Sequence, residues 1–111
     1  MNIEDWRSQI RRGTLEYCIL LILHHGPCYG YGILQRLGQS AVTTATESTV
    51  YPLLRRLQKD GYLTASWQDS AEGLPPRKYY ALTPAGEEAL QAMNADWDSL
   101  LKMVALLKEE K

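Results

Sequence analysis

Phenylalanine is missing from this chain of 111 residues, and seven Tyr and three Trp carry its aromatic content, a choice to which we attach no function. Cysteine is scarce. The two present, Cys18 and Cys28, need not pair and suit a reducing compartment. Long apolar runs are absent too: the longest, Tyr17 to Leu23, spans seven residues, against the roughly 20 needed to cross a bilayer. No charged leader with a cleavage site precedes that run, so a cytoplasmic protein without membrane contact is expected. Neither sign of charge dominates. Twelve Lys and Arg face thirteen Asp and Glu for a net charge of −1, which argues against a generic nucleic-acid coat. No Ser/His/Asp pattern, glycine-rich phosphate loop or paired-carboxylate setting is present, so neither catalysis nor a cofactor is expected. His24, His25 and Cys28 are near neighbours with no distant partner cluster, which is poor geometry for zinc, and a turn between helices explains them. Cys18 sits inside the apolar run and reads as core. Cys28 lacks an obvious activating base or resolving thiol.

What is present is enough for one globular domain with an adequate core, since 45% of the residues are apolar. The most informative stretch runs from Thr46 to Thr83. It predicts a helix over 48–60, with Leu53, Leu54 and Leu57 facing a core and Thr49, Arg55, Arg56 and Lys59 left for solvent or a polyanion. Gly61 stops that helix. Alternation then predicts a strand over 62–68, with Leu63, Ala65 and Trp67 on one face. A turn-rich tip, DSAEGLPP, leads to a second strand over 77–83 with Tyr80 and Leu82 inward. A helix followed by a hairpin whose return strand starts Arg77-Lys78 outlines a winged helix-turn-helix, hence DNA binding. The charge distribution has the required sign, though weakly. Residues 46–80 hold five basic and four acidic groups, residues 84–111 three and six.

The flanking segments complete a mainly α (α+β) architecture. Residues 2–12 place Ile3, Trp6 and Ile10 at helical spacing, with a break expected at Gly13; so short a helix needs something to dock on. Helix one is expected from Thr14, as N-cap, to His24. Its apolar run makes it hydrophobic all round, so it needs cover on two sides. Helix two is expected over 29–37, with Ile33, Leu34 and Leu37 as its stripe and Gly30 and Gly32 allowing close approach to helix one or to a phosphate. Pro52 is tolerable if its helix starts at Ser48. Thr83-Pro84 is a strong helix start. From it, Leu90, Met93, Trp97, Leu100, Val104 and Leu107 repeat at spacings of 3, 4, 3, 4 and 3, an a/d seam with Leu101 beside it. No other helix in the chain matches its length. The expected assembly is a homodimer, with residues 1–83 as the winged head and its two-stranded β-wing. Residues 84–111 form the dimerisation helix, which also covers helix one of the partner.

In a winged helix the N-terminal residues of the third helix lie nearest the base edges. That makes Ser48, Thr49 and Tyr51 candidates for base or phosphate contact, with helix capping as the plain alternative for Ser48 and Thr49. Arg55 suits a base edge or the backbone, and Arg56 and Lys59 suit phosphate. Arg77 and Lys78 suit phosphate or the minor groove. The plain alternative for the helical cations is a solvated face. A two-fold dimer implies pseudo-palindromic operator DNA.

Three blocks in order, RRGTLEYCILLILHHGPCYGYGILQRL, STVYPLLRRLQKDGYL and PPRKYYALTPAG, closely resemble the PadR family of bacterial transcriptional regulators over about residues 11–92. The length resembles the short branch, with a single C-terminal helix. The resemblance implies a winged helix-turn-helix dimer whose C-terminal helix crosses to the partner. It also implies a repressor that releases DNA on binding a small, often aromatic compound, and it places Tyr31 near the DNA backbone. A Trp matching Trp97 stacks on flat aromatic ligands between subunits in some members, with Ile10, Tyr17 and Leu21 lining the pocket and Met93 nearby. Leu101, in place of a pocket acid, tilts against a cationic ligand, although Asp98 is close. A plain interface role for Trp97 is the alternative. A winged-helix module that binds protein, and a ligand-binding protein whose head no longer recognises DNA, are the competing readings.

Overall fold

Asn2 opens the first helix: its side chain accepts the Asp5 N–H at 2.8 Å, and Glu4 and Asp5 complement the positive end of the helix. In a computed structural model describing residues 1–110, this helix, α1, runs unbroken from Ile3 to His24. The break expected at Gly13 does not occur, and Thr14 is not a cap: its Oγ1 donates back to the Ile10 carbonyl at 2.6 Å. A glycine costs a helix only about 1 kcal/mol. The buried residues Leu15, Ile19, Leu20, Ile22 and Leu23 that follow on the same helix easily offset that.

After a turn at Gly26, Cys28–Tyr29 forms a short strand, β1, ahead of α2, Gly30–Leu37. β1 turns the expected two-stranded wing into a three-stranded antiparallel sheet. β2 (Leu63–Gln68) and β3 (Arg77–Leu82) make the wing, and β1 pairs the outer side of β3 in the order β1-β3-β2. Cys28 lies opposite Tyr80, Ala65 opposite Tyr80, and Trp67 opposite Lys78. Two residues between Pro27 and Gly30 carry no periodicity, so nothing in the sequence marks them as a strand.

The third helix, α3, spans Glu47–Lys59 and buries Val50, Leu53, Leu54 and Leu57. Gly61, with φ +89°, supplies the left-handed turn that sends the chain into β2. Pro52 lies inside α3, not in its first turn. Its missing N–H leaves the carbonyl of Ser48 without its helical donor, and Ser48 is exposed, so water can serve that oxygen.

The last helix, α4, runs from Pro84 to Glu109, capped by Thr83, whose Oγ1 accepts the Gly86 N–H at 3.0 Å. The same hydroxyl donates to the Gly61 carbonyl at 2.6 Å, tying the start of α4 to the end of α3. The core is aliphatic, built from Ile19, Leu20, Ile33, Val50, Leu54 and Leu90. Leu90, expected at a subunit interface, is 1% exposed within its own chain, which corrects that expectation. The first half of α4 covers α1 in cis. The Tyr17 hydroxyl donates to Asn94 Oδ1 at 2.5 Å, the Tyr17 and Trp97 rings lie 5.5 Å apart, and His24 Nδ1 stands 3.2 Å from Glu87. From Leu100 onward α4 projects bare into solvent, in a molecule 61 Å long and 22 Å thin. No helix among the described residues is long and apolar enough to cross a membrane.

Candidate nucleic-acid interface

The N-terminus of α3 presents hydroxyls. Thr46, Ser48 and Thr49 are all exposed, with Thr46 Oγ1 at 2.8 Å from Ser48 Oγ and 3.3 Å from Thr49 Oγ1. None of them caps the helix with its side chain, so all three remain available to a partner outside the chain. Glu47 in the same turn is the one acidic group there.

One turn along, α3 meets α2 and the sheet. Gly30 opens α2 directly against Tyr51, and a Cβ at Gly30 would stand 2.5 Å from the tyrosine ring. The close approach predicted for Gly30 is therefore real, but its partner is a ring of α3, neither helix one nor a phosphate. Gly32 likewise approaches Cys28 Sγ and the ring of Tyr29. Half-buried Tyr51 has its phenol pKa raised by burial, then by Glu47, so it stays neutral.

This packing creates an open cleft of about 430 Å³ between α2, α3 and the wing. Tyr29, Tyr31, Tyr51, Trp67 and Tyr80 form its walls, and among the described residues Arg55, Arg77 and Lys78 are its charged groups. The Arg77 guanidinium lies 4.5 Å over the ring of Tyr29, and Lys78 Nζ 5.5 Å over that of Tyr80. Aromatic faces hold the cations in place without neutralising them. Tyr31 is 54% and Trp67 71% exposed, so apolar rings stand in water beside unpaired charge. Such a surface fits a partner with both negative charge and flat or sugar-like faces.

The predicted residues therefore divide. Tyr31, Tyr51, Arg55, Arg77 and Lys78 share one cleft, with Ser48 and Thr49 at the exposed tip of α3. Arg56 turns the other way: its guanidinium pairs with Glu16 of α1 at 2.5 Å. Lys59 is exposed in the last turn of α3, one turn beyond Arg56. Sequence reasoning passed over Tyr29 and gave Trp67 no functional role. Trp67 shares a strand face with buried Leu63 and half-buried Ala65 but is itself exposed, because the strand outruns the core by its fifth residue.

A second cavity, of about 310 Å³, lies between α1 and α4, lined by Ile10, Tyr17, Met93, Trp97, Asp96 and Leu100 among others. It gathers four of the five residues expected around a ligand. Leu21 is not among them; it lines a separate groove with Cys18, Ile22 and Arg36. The helical period explains the separation, because Leu21 follows Tyr17 by four residues and so lies one turn further along α1, past the end of the cavity. The Tyr17 phenol has a raised pKa, chiefly from burial and then from Asp98, and serves as a donor to Asn94. Among the described residues no group of three or more His, Cys, Asp or Glu is placed to hold a metal.

The pattern of the transcriptional regulator PadR-like family matches residues 19–92, from the last third of α1 to the third turn of α4. The chain belongs to the PadR-like family of transcriptional regulators. PadR-like relatives bear this out. A PadR-like transcription factor from Bacteroides fragilis is 45% identical, with a TM-score of 0.73 over 93% of this chain and 98% of that one. A PadR-like regulator from Bacillus cereus is 34% identical, with a TM-score of 0.84 over 93% and 99%. The negative transcriptional regulator PadR of Bacillus subtilis is 33% identical over 89 residues, which span 76% of this chain and 44% of that longer protein. A PadR-like chain is a regulator and not an enzyme, and the α+β winged head described above is the PadR-like fold.

Proposed function

We propose that this PadR-like regulator binds duplex operator DNA as a two-fold dimer and represses transcription until a planar aromatic effector enters the α1–α4 cavity. The observation that carries the reading is the aromatic-walled cleft with its three cations, Arg55, Arg77 and Lys78, beside the exposed hydroxyls of α3. α3 enters the major groove by its N-terminal end, and the wing cations reach the adjacent backbone. Repression draws support from the Bacillus subtilis relative, a negative regulator.

Dimerisation assigns a role to the bare end of α4, where Leu100, Leu101, Met103, Val104, Leu106 and Leu107 are each at least 39% exposed. Apolar surface of that extent needs a partner helix. The division of labour thus falls within α4: Leu90 to Trp97 hold the helix to its own head, and the turns after Leu100 meet the second subunit. In such a dimer the α1–α4 cavity opens on the subunit boundary, with Trp97 as its stacking platform.

A gel shift with the region upstream of the protein's own gene, repeated with a panel of planar aromatic compounds, tests the reading. Retarded DNA that is released by a compound quenching Trp fluorescence is the expected outcome. The net charge of −1 favours a protein-binding winged module as the second reading; a dimer that shifts no DNA at low salt would select it.

A further inference from the structure

We infer that the N-terminal half of α1 is a second backbone clamp for the same duplex, with Arg12 as its phosphate-contacting residue and Arg11 as its anchor. The inference rests on the DNA-binding reading above and adds to it a surface on the opposite flank of α3 from the wing.

Because α1 is continuous from Ile3, residues 8–12 are carried alongside the tip of α3 instead of ending in a loose arm. There a groove of about 330 Å³ opens between the two helices, lined by Ser8, Arg11, Arg12, Thr44, Thr46 and Thr49. Every polar side chain in it is a cation or a hydroxyl, and none is acidic. Thr46 and Thr49 belong to the exposed tip of α3, so this groove and the base-contacting end of that helix share one edge.

The two arginines differ in what they do. Arg11 Nε donates to the Val42 carbonyl at 2.8 Å, which pins the α2–α3 loop to α1. Arg12 is exposed, and among the described residues it makes no ion pair or hydrogen bond. Its natural helical partner, Glu16 at i+4, is taken by Arg56 from α3 instead. That pairing links α1 to α3 and leaves Arg12 without an ion-pair partner among the described residues, at the mouth of the groove. An unpaired guanidinium among hydroxyls matches the fork geometry of a phosphate group. Glu47, in the first turn of α3, opposes an approaching backbone, and Arg12 on α1 adds positive charge beside that end of α3 to offset it. Cations then bracket the helix, Arg77 and Lys78 on one side and Arg12 on the other.

The experiment is a salt series of binding measurements with a labelled duplex from the protein's own upstream region, comparing wild type with Arg12→Ala, Arg77→Ala and Arg7→Ala. Arg7 lies on the same helix but is paired with Glu4 at 2.7 Å, so its removal changes net charge equally without removing a free cation. Arg12→Ala is expected to lower the slope of log K against log salt by about one per subunit, as Arg77→Ala does, and Arg7→Ala to leave it unchanged. Circular dichroism melting should be unaltered in all three. A wild-type slope for Arg12→Ala beside a reduced one for Arg77→Ala overturns the clamp while leaving the DNA reading intact. Equal losses for Arg7→Ala and Arg12→Ala overturn it as well, by reducing the effect to net charge. A wild-type protein that binds no duplex overturns both.

Discussion

Arg55 and Arg56 are adjacent in sequence and alike in chemistry, yet helical geometry separates their side chains by roughly 100°. One enters the aromatic cleft and the other pairs with Glu16. Arg55→Ala should therefore weaken operator binding and reduce its salt dependence by about one contact per subunit. Arg56→Ala should act mainly on stability, and modestly. The pair is partly exposed, at 59% and 31%, so screening holds its worth to about 1 kcal/mol or less. Urea denaturation beside a salt series separates the two; equal DNA effects would contradict the assignment. The cysteines supply a second test. Burial raises the thiol pKa values of Cys18 and Cys28 above the ordinary 9.0, and for Cys28 Arg36 offsets only part of that. Raised values in the folded state favour the neutral thiol, so this contribution is fully present below pH 9 and fades as pH climbs through the folded values. Tyr17 and Tyr51 add to the trend above 10. Denaturation midpoints should hold level from these groups up to about pH 9 and fall beyond it, and thiol alkylation at pH 8 should be slower than in the unfolded chain.

At the scale of elements, α4 is two structures in one helix. Its a/d repeat is continuous, but the first three seam positions are used within the chain and the rest are bare. Leu90→Ala should cost about 2–5 kcal/mol of stability, because it opens a cavity in the core of the head. Leu107, a seam position at 54% exposure, should behave in the opposite way. Leu107→Lys should leave monomer secondary structure intact and shift the protein towards monomer in sedimentation. A dimer indifferent to that change would move the subunit contact elsewhere. The start of α4, the α3 stripe and both wing strands were legible because caps, Gly61 and period-two alternation are written in neighbouring residues. β1 was not legible: a two-residue strand has no pattern of its own and exists only because β3 is beside it. The continuity of α1 through Gly13 has a related cause, since local propensity opposes the helix there while the tertiary core beyond it favours continuation.

For the whole molecule, the long dimension of 61 Å comes from a head and a projecting helix. If two heads are joined through those helices, the operator they read has two half-sites related by a dyad, about 10 bp or a multiple of it apart. Footprinting should show two protected tracts on one face of the duplex, and a single tract at saturating protein would contradict the two-fold arrangement. By itself, the sequence determined what depends on residues close together: the types of the longer elements, the Thr83 cap and the Gly61 stop, the apolar stripes and the three blocks that mark the PadR-like family. Tertiary structure decided everything that depends on which distant residues meet. It sent Arg55 and Arg56 to different partners, brought Tyr29 and Trp67 around one cleft, left Leu21 out of the cavity that holds Tyr17, and divided the α4 seam between its own core and solvent. The physical reason is the same in each case. A periodic pattern says that a side chain will be buried or paired, and only the packed chain says against what.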